Sequence, residues 1–105
     1  MHCVRDFDPA DPNEDEYFGI DFINDLPTDE NLVSAAITFT LKLGDDPDPA
    51  SHLVGGPIIM EDTIVSQRIR NLLPGNVYTL RALAVSNVSG SIISLWANIA
   101  CEPVF

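Results

Sequence analysis

Along much of the chain apolar and polar residues alternate with a period of two, not 3.6. The clearest run is LVSAAITFTLKL over residues 32–43. Ile37, Phe39, Leu41 and Leu43 fall on one side; Ala36, Thr38, Thr40 and Lys42 fall on the other. This is the pattern of a strand with one face on a core and one in water. A second run covers residues 77–86: Tyr78, Leu80, Ala82 and Ala84 share one face, and Val77, Thr79, Arg81, Leu83 and Val85 share the other. A third covers residues 91–100, with Ile93, Leu95, Ala97 and Ile99 inward and Ile92, Ser94, Trp96, Asn98 and Ala100 outward. By this count Trp96 is either an exposed aromatic on a terminal edge strand, a candidate anchor for a partner, or is covered by the N-terminal arm folding back over it.

Shorter segments complete the set. Phe18, Ile20 and Phe22 share one face of an opening strand that begins near residue 17, while Tyr17, Asp21 and Ile23 do not. Residues 57–60 form a short strand, Glu61-Asp62 a turn, and residues 63–70 a further strand. In that strand Val65 and Ile69 face the core and Gln67 lies near its edge. Residues 44–56, GDDPDPASHLVGG, read as a long, irregular, solvated acidic connection, with His52 a loop histidine. No helical period occurs. Strands of four to ten residues separated by turn signals predict an all-β, two-sheet antiparallel sandwich.

The turn at residues 72–78 is the most specific local signal. Pro74 pre-sets φ at the first corner position of a type II turn, and Gly75 accepts the positive φ of the next. Leu72-x-Pro74-Gly75-x-x-Tyr78 then places a tyrosine just past the corner, its ring inward and its hydroxyl in reach of upstream backbone. That is the tyrosine corner of Greek-key sandwiches, with Leu72, Pro74, Gly75 and Tyr78 as its structural residues. The longer pattern Ile69-x-x-Leu72-x-Pro74-Gly75-x-x-Tyr78-x-Leu80-Arg81-x-x-Ala84-Val85-Ser86-x-x-x-x-Gly90 resembles part of a fibronectin type III domain. It implies an Ig-like (fibronectin type III-like) fold for residues 17–105.

Charge divides the chain. Five basic residues face sixteen acidic ones, for a net charge of −11. Residues 1–30 hold ten Asp or Glu against one Arg, and residues 31–105 hold six against four. Residues 1–16, with two Asp-Pro pairs, predict an extended acidic N-terminal arm anchored by Phe7, either solvated or ordered against a neighbour. The balance argues against nucleic acid, which requires a basic stripe to displace counterions. Arg68, Arg70 and Arg81 form either a patch for a protein partner or a solvated face. MHCVRDFDP lacks the basic and apolar regions of a secretory signal, and no apolar run approaches the ~20 residues of a membrane helix. Cys3 and Cys101, at opposite ends of the chain, stand either as two reduced thiols or as a bridge.

Catalytic patterns are missing. Ser34, Ser66 and Ser86 lie on strands without a Gly-x-Ser-x-Gly elbow, and no Cys-x-x-Cys or phosphate-binding glycine loop occurs. Asp45, Asp46 and Asp48 do not follow an EF-hand pattern. The expectation is no enzyme, no cofactor and no metal.

Three motifs in order, Phe18-Gly19-Ile20-Asp21-Phe22, Asp62-Thr63-Ile64-Val65-Ser66 and the Pro74-Gly75-x-x-Tyr78 corner, resemble small structural proteins of tailed bacteriophages. The resemblance implies a non-enzymatic virion component made in the host cytoplasm: head decoration or cement, or a collar or head–tail accessory. Its partners would be capsid, portal or tail proteins, contacted in multiple copies of a symmetric assembly. Phe7, Tyr17, Trp96, Arg68 and Arg70 are the candidate partner contacts. The rival expectation is a carbohydrate- or receptor-binding module at a cell surface. A third is an intracellular scaffold that holds a basic partner through residues 6–16.

Overall fold

A computed structural model describes residues 2–3, 15–26, 30–88 and 90–101. They form seven strands: β1 (His2–Cys3), β2 (Asp15–Asp21), β3 (Leu32–Leu43), β4 (Leu53–Met60), β5 (Ile64–Arg70), β6 (Val77–Ser86) and β7 (Ile92–Ala100), with one 3-10 turn at Pro49–His52. One sheet has the order β1-β7-β6-β3 and the other β2-β5-β4. Every pairing is antiparallel except that of β1 on β7.

The two sheets enclose one core. Phe18, Ile20 and Phe22 from the β2 segment and Val65 and Ile69 from β5 meet Phe39, Leu80, Ala82, Ala84, Leu95 and Ile99 from the opposite layer. Burying each large apolar side chain is worth about 1.5–3 kcal/mol. The small Ala82 and Ala84 lie fully buried on central β6. Inward residues on β2, β6 and β7 follow the alternation of the sequence.

Departures from the simple alternation occur at bulges. Leu43 is 63% exposed, not inward, because the register against β6 shifts between Leu41 and Leu43 and turns its side chain over. The strand expected at residues 57–60 begins earlier, at Leu53. It runs through Gly55-Gly56 with a register shift against β5 between Val54 and Ile58, and Gly55 takes a φ of 69°. Gln67 lies not at the edge but on the inward face of β5, which it shares with Val65 and Ile69 by strand alternation. Gln67 is buried, and its amide donates to the carbonyls of Gly55 at 3.1 Å and Arg68 at 3.0 Å. Strands β5 and β6 are consecutive but lie in different sheets, so Arg81 does not join Arg68 and Arg70.

The segment expected as an arm contributes to both layers. His2–Cys3 run beside Leu95 and Trp96 on the outer side of β7, and Asp15 and Glu16 pair with Arg70 and Ile69. Phe7 and the rest of residues 4–14 lie outside the described residues, as does the side chain of Cys3. The Cys101 thiol is buried and donates to the Leu72 carbonyl at 3.6 Å. Among the described residues no helix is long and apolar enough to cross a membrane.

Candidate functional site

Two polar constellations stand out, one closed and one open. The closed one caps the end of the sandwich where the corner lies. Gly75 has a φ of 81°, as the type II turn requires, and its N–H donates to the Cys101 carbonyl at 3.0 Å. Tyr78 follows, fully buried, with its ring stacked on Phe39 at 5.0 Å. Its hydroxyl accepts from the Leu73 N–H at 3.2 Å and from Asn76 Nδ2 at 3.3 Å, and donates to Asp46 Oδ2 at 2.7 Å.

Asp46 belongs to the stretch read as a solvated acidic loop, yet its side chain is 4% exposed. The chain folds over Tyr78 there because Asp46 Oδ1 accepts the Asp48 N–H, and Pro49 then starts a 3-10 turn that carries His52 inward. His52 is therefore not a free loop histidine. Its Nε2 lies 2.7 Å from Asp46 Oδ2, and since a carboxylate only accepts, Nε2 carries the proton. Its ring meets Tyr78 edge-on at 5.8 Å.

Asn76 ties the same loop from below. Its Oδ1 accepts from Asp45 N–H at 3.2 Å and its Nδ2 donates to the Asp45 carbonyl at 3.1 Å. Gly44, with a φ of 113°, lies so close to Asn76 that a β-carbon would overlap the amide oxygen.

Electrostatics fixes what this cluster does. Burial pushes the Asp46 carboxyl up, but donors from Tyr78, His52 and the Asp48 backbone outweigh it and hold the group below its ordinary value. Burial and the neighbouring carboxylate push the Tyr78 phenol up. A neutral phenol whose proton is given to Asp46 and whose lone pairs are taken by Leu73 and Asn76 is a brace, not a nucleophile.

The open constellation lies on the outer face of β3, β6 and β7. The register sets two rungs across this sheet, Thr38–Arg81–Trp96 and Thr40–Thr79–Asn98, with Lys42 beyond the second. Together they line a concavity of ≈ 430 Å³. Thr79 Oγ1 donates to Asn98 Oδ1 at 2.8 Å, and Arg81 Nε donates to Ser94 Oγ at 3.0 Å. Trp96 is half-buried, not exposed, and β7 is not the edge strand expected, because β1 pairs along its other side. The three strands carry no Asp or Glu at all, in a chain of net charge −11.

The remaining candidate contacts lie on the other sheet. Tyr17 is exposed on β2 and faces Arg68 in register. Arg68 is held by a bidentate pair with Asp15, at 2.8 Å from Nε and 2.7 Å from Nη2. The guanidinium hydrogen bond holds the Asp15 carboxyl below its ordinary value. Arg70 lies opposite Asp15 in register. Tyr17, Arg68 and Arg70 thus share a surface that excludes Trp96. Among the described residues no three His, Cys, Asp or Glu side chains converge at metal-ligand spacing.

Comparison with profiles of known protein families, with curated proteins and with solved structures finds no match to this chain.

Proposed function

We propose that this chain is a non-enzymatic Ig-like sandwich module that works by being held against protein neighbours, as a structural component of a tailed-phage virion. Support for the Ig-like reading comes from strand order. In a constant-type Ig domain the second, fifth and fourth strands share one sheet and the third, sixth and seventh share the other. The trios β2-β5-β4 and β3-β6-β7 follow that order, while β1 departs from it by joining β7. The bond from Leu73 N–H to Tyr78 adds the tyrosine corner.

The observation that carries the role is the open, acid-free face bearing Arg81, Lys42 and Trp96 on an otherwise acidic molecule. A half-buried aromatic flanked by arginine is the composition of an interface centre. The virion setting rests on the three-motif resemblance and on the fit of a small sandwich to a symmetric shell. The test is to locate copies in particles purified from cells that express the gene. Density for a seven-strand sandwich at symmetry-related positions is the expected result. Particles that lack the chain would remove the virion role.

A second reading draws on Trp96 sharing its concavity with threonine hydroxyls and an asparagine amide, groups that also suit a sugar ring. Binding on a glycan array that disappears in Trp96→Ala would favour a carbohydrate module.

A further inference from the structure

We propose that the outer edge of β3 is a contact between two copies of this chain: β3 pairs antiparallel with β3 of a second copy, with Thr38 on the two-fold axis. The inference rests on the reading that the molecule acts through protein neighbours, and it names one of them.

The four edge strands carry the argument by contrast. Among the described residues β1 and β3 end one sheet, and β2 and β4 end the other. An edge strand offers main-chain N–H and C=O groups to any passing strand, and natural sheets blunt it by shortness, proline, charge or a bulge. β1 is two residues long. β2 carries Asp15, Glu16 and Asp21. β4 carries Gly55, Gly56 and Pro57 and shifts register across them. β3 differs from all three. It runs for 12 residues without a proline, a glycine or an acid, and its one charged residue is Lys42. Its register shifts lie at its two ends, so the stretch from Ser34 to Leu41 is regular.

Burial points the same way. On β6 and β7 the inward residues Leu80, Ala82, Leu95 and Ile99 are closed to water. On β3 Ala35, Ile37 and Leu41 belong to the same core yet are only half-buried. A strand alongside would complete their cover.

The sequence of β3 also fits itself. Centred on Thr38, the contact sets Ile37 against Phe39 and Ala35 against Leu41 on the core side, and Ala36 against Thr40 and Ser34 against Lys42 on the wet side. Val33 and Leu43, the exposed apolar residues at the register shifts, come alongside one another. Centring on Ile37 would set Leu43 against Asn31, and centring on Phe39 would set Val33 against Asp45. Two bodies of net charge −11 repel, and this strand brings no carboxylate to the contact. Its two lysines lie about 27 Å apart across the axis. The product is one sheet with four strands from each copy, in which the rung Thr38–Arg81–Trp96 runs on into its mate.

Thr38→Cys in a Cys3→Ser background tests the register directly. Facing Cα atoms of an antiparallel pair lie about 4.5–5.5 Å apart, within disulfide reach. Oxidation is expected to give a covalent dimer. Thr40→Cys in the same background lies about 13 Å from its own mate and is expected to stay uncrosslinked. Sedimentation of the parent chain is expected to show a monomer–dimer equilibrium that tightens as salt rises, because screening relieves repulsion between the acidic bodies. Thr38→Lys sets two ammonium groups face to face. It is expected to hold the chain monomeric while its circular dichroism and its unfolding in dilute solution match the parent.

Equal cross-linking of the two cysteine variants would overturn the proposal. So would a dimer that Thr38→Lys does not weaken, which would put the contact on another surface. A chain monomeric at every concentration would also overturn it and leave the edge to another protein's strand or to a segment of this chain. If it is monomeric yet copies sit in purified particles, this contact is wrong and the structural role stands. If it pairs through Thr38 and particles lack it, the contact stands and the virion role falls.

Discussion

The capped end of the sandwich and the outer face of its larger sheet both concentrate polar side chains, and they use them in opposite ways. At the cap, Asp46, His52, Asn76 and Tyr78 bond to one another and to nearby backbone, shut away from water. On the sheet face, Lys42, Arg81, Thr38 and Thr40 border an open hollow. The lesson is that polar density alone does not mark a working surface. Closure inside the chain marks a brace, and the sheet face instead borders open space.

Tyr78→Phe attacks the cap most directly. It removes the donor to a buried carboxylate and strands the Leu73 N–H, at a cost of about 3 kcal/mol. Thermal melting should fall by roughly 10–20 °C. If the melt is unmoved, the cap is not a brace and the contrast fails.

Asp46→Asn comes next, at about 1–3 kcal/mol near neutral pH, since its partners lose a charged acceptor. It also carries a pH signature. The folded Asp46 has a pKa below its unfolded value, so its contribution is complete above the ordinary carboxylate range and fades as pH falls through the folded value. Chemical denaturation across pH 2–6 should show an acid-side loss of stability in the parent that is shallower in Asp46→Asn. Equal slopes would place the acid sensitivity elsewhere.

The open face should behave in the reverse manner. Lys42→Ala with Arg81→Ala is expected to change stability by less than about 0.5 kcal/mol while weakening ligand binding reported by Trp96. A large loss of stability would mean that this face is structural too. Smallest of all, Asp15→Asn on the other sheet breaks an exposed pair with Arg68 and should leave the melting temperature within the scatter of repeat scans.

Much of the fold was legible because it rests on local order. The alternation over residues 77–86 and the Pro74-Gly75 corner gave the central strand and its turn, and Tyr78 bonds backward where the corner pattern implies. The cap was not legible. Asp46 and Tyr78 are thirty-two residues apart, and GDDPDP carries the composition of a solvated loop. Only the three-dimensional path shows that one of its three aspartates turns inward. The one available hint was Asp46-Pro47-Asp48-Pro49, in which an Asx turn ahead of a proline can start a 3-10 turn. The rungs of the open face were half legible. Thr38, Thr40, Lys42 and Trp96 were each placed outward, but their meeting depends on which strands pair. Whether Arg68, Arg70 and Arg81 meet is likewise not legible in the sequence, because it depends on β5 and β6 lying in different sheets.

Gly44 sits at the surface by any measure of solvent contact, and a catalogue of tolerated substitutions ranked by accessibility would pass it freely. Its neighbour Asn76 forbids that. Adding one methyl group would push the amide off Asp45 and loosen the loop that carries Asp46 over Tyr78. In a saturation scan this position should behave like the deepest interior residues, and a directed-evolution library would do well to leave it fixed.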